Sequence, residues 1–183
     1  MKSQDITAKL THVTELKDYH LMVKNGIKVK DMGSHGLIYK PPGFWISIDG
    51  DWERWCTAEE WGMGDKSIIC KVKIKADLEF LKISSVLEAN NLIKFLVPDI
   101  PIYDFNGFTV DRCDLLNVTH YMLECSKNGI LLTARMLWKN VLDNYDGVYY
   151  ENSGSLHMHS MFNAWDASSI VIFDPRNVEL FYD

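Results

Sequence analysis

The segment Ser67 to Lys75, SIICKVKIK, does most to limit the folds open to this chain. Ile68, Cys70, Val72 and Ile74 alternate with Lys71, Lys73 and Lys75. Extended backbone sends successive side chains to opposite faces, so this strand has one apolar face and one wet one. Strands of a fully covered parallel sheet read instead as unbroken hydrophobic runs, so the pattern predicts an antiparallel sheet. Further strands are expected at Lys9–Thr14, at Ile27–Val29, at Leu78–Ile83, and at Val148–Glu151 after the turn Asn144–Gly147. Ser169–Phe173 and Val178–Tyr182, separated by Pro175, complete the set.

Between these strands the spacing turns helical. Leu16, Tyr19, His20 and Val23 recur along Glu15–Asn25, and Gly26 supplies a stop. Ser84 or Ser85 caps a helix running to about Val97, which Pro98 and Pro101 end. Leu115–Cys125 and Thr133–Tyr145 read as two more helices, and 98–112 as an irregular connection. Strands at both ends with helices between them predict an α+β fold, not alternating βαβ units. The 183 residues suit a single domain, 1–183, with no repeat or linker.

Lys40–Trp61, KPPGFWISIDGDWERWCTAEEW, carries four tryptophans within seventeen residues. Phe44–Ile48 is aromatic and β-branched, as a strand should be, and Gly50 turns it. Asp51 stands where an N-cap would, opening an amphipathic helix with Trp52, Trp55 and Cys56 on one side. Such a cluster of rigid indoles is either a large core or the wall of a cleft for a flat ligand.

The formal net charge of −6 argues against broad binding to phosphate backbones, although Lys71, Lys73 and Lys75 form a local basic face. Cys56, Cys70, Cys113 and Cys125 include no CxxC pair, and the N-terminal stretch is polar. Free thiols and a cytoplasmic location are the expectation. No apolar run has the length of a membrane helix, so no membrane partner is expected. His157 and His159 share a face if extended, but no third ligand has a recognisable spacing, and no metal is expected. No thiol nucleophile with a matching His spacing is evident. P-loop and GxGxxG motifs are absent, so a bound dinucleotide would sit outside a Rossmann fold.

Three motifs, in order, resemble those of the ADP-ribosyltransferase superfamily. LTHVTEL (10–16) is similar to the first-strand histidine motif of the diphtheria-toxin-type and DNA-modifying members. KPPGFWIS (40–47) is similar to their second-strand motif, and YDGVYYE (145–151) stands near their late-strand glutamate. The chain also resembles uncharacterised viral and bacterial proteins that share KPxGLW and a late WDxxS, here Trp165–Ser169. The resemblance implies split antiparallel sheets with flanking helices and NAD in the cleft between them. It implies transfer of ADP-ribose to a macromolecular acceptor (protein, RNA or single-stranded DNA), by analogy in a toxin or phage–host conflict. An NAD glycohydrolase and a non-catalytic binding member of the fold are the alternatives.

Carried over, His12 orients the ribose and also acts in catalysis, the Val13 backbone holds the carboxamide, and Thr14 assists. Trp45 stacks on the nicotinamide with Ser47 on the same wall; the alternative has Phe44 stacking and Trp45 in the core. A Gly-Ile-Glu pattern would place glutamate at position 149, which is Tyr149 here. Glu151, two residues on, is then the catalytic carboxylate, with Asp146 and Asp166 as rivals.

Overall fold

The computed structural model describes residues 1–29, 39–60, 66–96, 125–129, 132–153, 156, 162 and 165–182. The strands, in chain order, are β1 (Leu10–Glu15), β2 (Phe44–Ile48), β3 (Ser67–Ile74), β4 (Phe80–Ile83), β5 (Gly147–Tyr150), β6 (Ser169–Ile172) and β7 (Val178–Phe181). Five α-helices accompany them among the described residues: α1 (Leu16–Asn25), α2 (Asp51–Ala58), α3 (Val86–Leu96), α4 (Ala134–Leu137) and α5 (Lys139–Asn144). The fold is α+β.

All seven strands belong to one sheet, ordered β4-β5-β6-β2-β1-β3-β7. Neighbours pair antiparallel throughout except β4 and β5, which are parallel with Phe80 opposite Gly147. The sheet is therefore mixed, where the alternation of β3 predicted an antiparallel one. A parallel pair needs a long crossover, and the chain that carries α3, α4 and α5 supplies it.

Two cores flank the sheet. One holds residues of all seven strands, including Ile46, Cys70, Phe80, Ile170 and Leu180, with Tyr19 and Met22 of α1 packed against it. On the opposite face, Trp45, Leu81, Ile83, Val148, Tyr150 and Val171 pack beneath α3, α4, α5, Phe162 and Trp165. Among the described residues, this second core draws on β4, β5, β6 and β2. Beyond it, Ile69 on β3 and Phe181 on β7 are exposed. The edge of the covered half falls between β2 and β1.

That junction is narrow. β1 and β2 pair only through Leu10–Ile48 and Thr11–Ser47, whereas β1 and β3 pair over five residues. Gly43, just before β2, lies so close to β6 that a Cβ there would overlap Val171 Cγ1. Gly147 meets the backbone of Val171 in the same way from β5. Glycine at both positions is what lets β2 and β5 flank β6 this tightly.

Several local expectations change. Ile27 and Val29 form no strand; they pack as side chains on the first core. Gly50, at φ 72°, and not Asp51, precedes α2. The amide of Trp52 donates to Ser47 Oγ at 3.1 Å, which leaves the Asp51 carboxylate to accept from the Ser168 amide at 2.7 Å. The expected helix Thr133–Tyr145 breaks into α4 and α5 at Trp138, whose indole is fully buried beside Trp165. Ser85 and Glu88 cap α3 reciprocally: the Glu88 amide donates to Ser85 Oγ, while the Glu88 carboxylate accepts from the Ser84 amide. The segments 98–112 and Leu115–Glu124, with Cys113, His157 and His159, lie outside the described residues.

Candidate functional site

Where β1 and β2 part, the imidazole of His12 stands between them. Its Nδ1 lies 2.9 Å from the Trp45 carbonyl, and its ring packs on Phe44 with centroids 4.4 Å apart. A carbonyl can only accept, so Nδ1 carries the proton and Nε2 keeps a lone pair. Burial pulls the His12 pKa below its ordinary value, although the Trp45 hydrogen bond and the Glu53 charge oppose this. The neutral ring is thus an acceptor at Nε2 near neutral pH.

A cavity of about 350 Å³ opens at this junction. His12 and Val13 line it from β1, Trp45, Ile46 and Ser47 from β2, and Trp52 from α2. Lys40 enters from the turn before β2, and Trp165, Asp166, Ala167 and Ser169 from the run into β6. Trp45 and Trp165 meet edge to face at 5.1 Å, and Tyr150 meets Trp165 at 4.9 Å.

Among the described residues, Trp45 Nε1, Trp165 Nε1 and the Tyr150 hydroxyl are buried without hydrogen-bond partners. Trp45 and Trp165 line the cavity, and buried donors are nearly always paired, so their two indoles point to a polar ligand or bound water there. Burial, with the charges of Asp166 and Asp51, pushes the Tyr150 pKa up to about 12, so its hydroxyl stays protonated and able to donate. The Lys40 ammonium lies 5.3 Å from the Trp45 ring centre. Desolvation lowers its pKa and the nearby Asp166 carboxylate partly restores it.

A layer of fixed polar groups supports this wall. The half-buried Glu53 carboxylate accepts from Thr11 Oγ1 and, at 2.6 Å, from Ser47 Oγ. Thr11 and Ser47 are the last pair that joins β1 to β2. α2 therefore clamps the two strands at the point where they diverge.

Of the residues expected from the sequence, the structure brings His12, Val13, Trp45 and Ser47 together. Thr14 is not among the lining residues; it lies opposite Ile68 in the β1–β3 register. Phe44 is buried in the other core, so Trp45 is the aromatic wall. Glu151 is exposed and not among the lining residues; its amide donates to the Ile83 carbonyl at 2.9 Å. Asp146 is a turn residue whose carboxylate accepts from the Glu79 amide at 2.8 Å. Asp166 is the one proposed carboxylate that does reach the cavity.

Tyr150 and Glu53 carried no sequence signal of a role here, and Trp52 entered only as one of the clustered tryptophans. For Lys40 the only hint was its place at the start of KPPGFW. Among the described residues no three metal-ligating side chains cluster, and no helix is long and apolar enough to cross a membrane. Cys56, Cys70 and Cys125 are free thiols, and burial pushes the first two up in pKa.

In comparisons with known proteins, no protein-family model, no curated protein and no solved structure matches this chain. Fold and site together define a class: an α+β protein with an aromatic-walled cavity at a narrow strand junction.

Proposed function

We propose that the chain is an ADP-ribosyltransferase that breaks the nicotinamide–ribose bond of NAD and transfers ADP-ribose to a protein or nucleic-acid acceptor. One observation carries the reading: His12, Val13, Trp45 and Ser47, named by two separate motifs, line the same cavity. The narrow β1–β2 junction supports an ADP-ribosyltransferase-like split of the sheet at this point.

Each part of the cavity suits a part of the nicotinamide–ribose end. His12 Nε2 can accept from a ribose hydroxyl. Past Thr11, β1 has no ladder partner on its β2 side among the described residues, and Val13 lines the cavity, so its backbone is a candidate partner for a carboxamide. The Trp45 ring already has a cation over it, the Lys40 ammonium, and the pyridinium of NAD is a flat cation. The volume of about 350 Å³ falls in the range of small-ligand sites.

A second reading, a non-catalytic binding member of the fold, is favoured by Tyr149 at the expected glutamate position and by Glu151 outside the cavity. Incubation with NAD labelled in its adenylate half and a cell lysate separates the readings. Transfer puts label into macromolecules, and protease or nuclease treatment then identifies the acceptor class. Free ADP-ribose alone indicates a glycohydrolase. Intact NAD with measurable binding favours the binding module, and no binding at all removes the NAD reading.

A further inference from the structure

We propose that Asp166, not Glu151, is the carboxylate that faces the reacting ribose in this cavity. This rests on the ADP-ribosyltransferase reading and assigns its missing catalytic group.

The sheet register argues for it first. Trp45 stands opposite Val171, and Ser47 opposite Ser169; Val148 and Tyr150 stand opposite those same two β6 residues. The cavity face of β5 therefore carries Val148 and Tyr150. Tyr149 alternates to the other face and packs in the other core. Glu151 follows Tyr150, is exposed, and acts electrostatically on Tyr149. A glutamate at position 149 or 151 would therefore not reach the Trp45 wall without a change of strand register.

Asp166 has the opposite character. Its neighbours are anchored: Trp165 and Ala167 are buried, and the Trp165 amide donates to the Phe162 carbonyl at 2.8 Å. Asn152 Nδ2 donates to the Asp166 carbonyl at 3.2 Å, and the Asn152 amide donates to Ser168 Oγ at 3.0 Å. The Ser168 amide in turn donates to Asp51. While the backbone is fixed on both sides, the Asp166 carboxylate accepts no hydrogen bond among the described residues. It lines the cavity with Trp45 and Trp165, the two indole donors left unpaired among the described residues, and its charge is felt by Lys40 and Tyr150. A rigidly carried, unspent negative charge lining the cavity is what a developing cation requires.

The bond changes balance with these groups alone. The C1′–N bond breaks with its electron pair going to the nicotinamide nitrogen, which neutralises the pyridinium. Positive charge then builds on C1′ and the ring oxygen, opposite the Asp166 carboxylate. A lone pair of the acceptor, or of water, forms the new bond at C1′, and the proton it sheds passes to Asp166 or to solvent. The carboxylate interacts more strongly with this state than with bound NAD, so it acts on turnover more than on affinity.

The test compares wild type, Asp166→Asn and Glu151→Gln for nicotinamide release from NAD and for NAD affinity by tryptophan fluorescence. Asp166→Asn is expected to lower kcat by about a hundredfold to a thousandfold. Its NAD affinity should stay within a few-fold, Asp166→Glu should recover part of the rate, and Glu151→Gln should keep near wild-type turnover. Far-UV circular dichroism of each variant checks the fold, and Asp166→Ser serves if the asparagine variant does not fold. An Asp166→Asn protein with wild-type turnover overturns the assignment, and a loss confined to Glu151→Gln moves the role there. Wild type that binds NAD but releases no nicotinamide also overturns it, leaving NAD binding in place. Wild type that does not bind NAD removes the underlying reading and the assignment together.

Discussion

Removing the Glu53 carboxylate should loosen the clamp at the β1–β2 junction. Glu53 accepts from the hydroxyls of Thr11 and Ser47, which are only 1% and 5% exposed. Hydrogen bonds to a charged partner contribute about 1.5–3 kcal/mol each, and a buried hydroxyl left unpaired costs a similar amount. Two such bonds set an upper range, but Glu53 is half-buried and Ser47 Oγ keeps the Trp52 amide. Glu53→Ala is therefore expected to cost about 2–4 kcal/mol. For a chain of this size, a loss of about 3 kcal/mol lowers Tm by roughly 6–12 °C. Glu53→Gln keeps one acceptor oxygen and should cost about half as much, roughly 1–2 kcal/mol. Urea and thermal unfolding followed by circular dichroism measure both, and a double-mutant cycle with Thr11→Val isolates one arm of the clamp. A Glu53→Ala loss below about 0.5 kcal/mol, the range of an ordinary surface substitution, would refute the clamp.

Other consequences follow from single residues. Because burial lowers the His12 pKa, the unfolded chain binds a proton more readily than the folded one. Stability should hold above about pH 6.5 and fall as the pH drops from there to the depressed folded value. His12→Asn should flatten that slope in urea titrations at successive pH values; an unchanged slope contradicts the burial argument. Gly147→Ala places a methyl against the Val171 carbonyl and the Phe80 ring. It should destabilise by about 1–3 kcal/mol or more in urea unfolding, as overpacking does.

Much of the fold is legible in local alternation. β3 is the expected strand with one fewer residue because its alternation records a one-sided burial, and β2 spans the expected Phe44–Ile48 because aromatic and β-branched residues favour a strand, here packed on both faces. Ile27 and Val29 mislead because a pair of β-branched side chains also suits irregular packing on a core. The parallel β4–β5 pair leaves no trace in either strand, since partner direction is set by the long crossover. At the site, the two motifs find His12, Val13, Trp45 and Ser47 because those positions lie on the two strands that form the wall. Ser47 and Glu53 lie six residues apart, but Thr11 reaches Glu53 from forty-two residues away only through the register of β1 on β2, so no local spacing encodes that arm of the clamp. Asp51 reads as a helix cap in sequence; in the fold its carboxylate is held by the Ser168 amide, a contact 117 residues distant.

The most direct test of the central claim is a titration of NAD into wild type and Trp45→Ala, followed by tryptophan fluorescence and Tm. NAD should quench wild-type emission. At about a hundred times the Kd it should stabilise the fold by about 2.7 kcal/mol. Loss of the indole should remove roughly 1–3 kcal/mol of stacking, a weakening of about five-fold to 150-fold. No change in wild-type fluorescence or Tm at millimolar NAD, or equal affinity in the two proteins, would contradict an NAD site on the Trp45 wall.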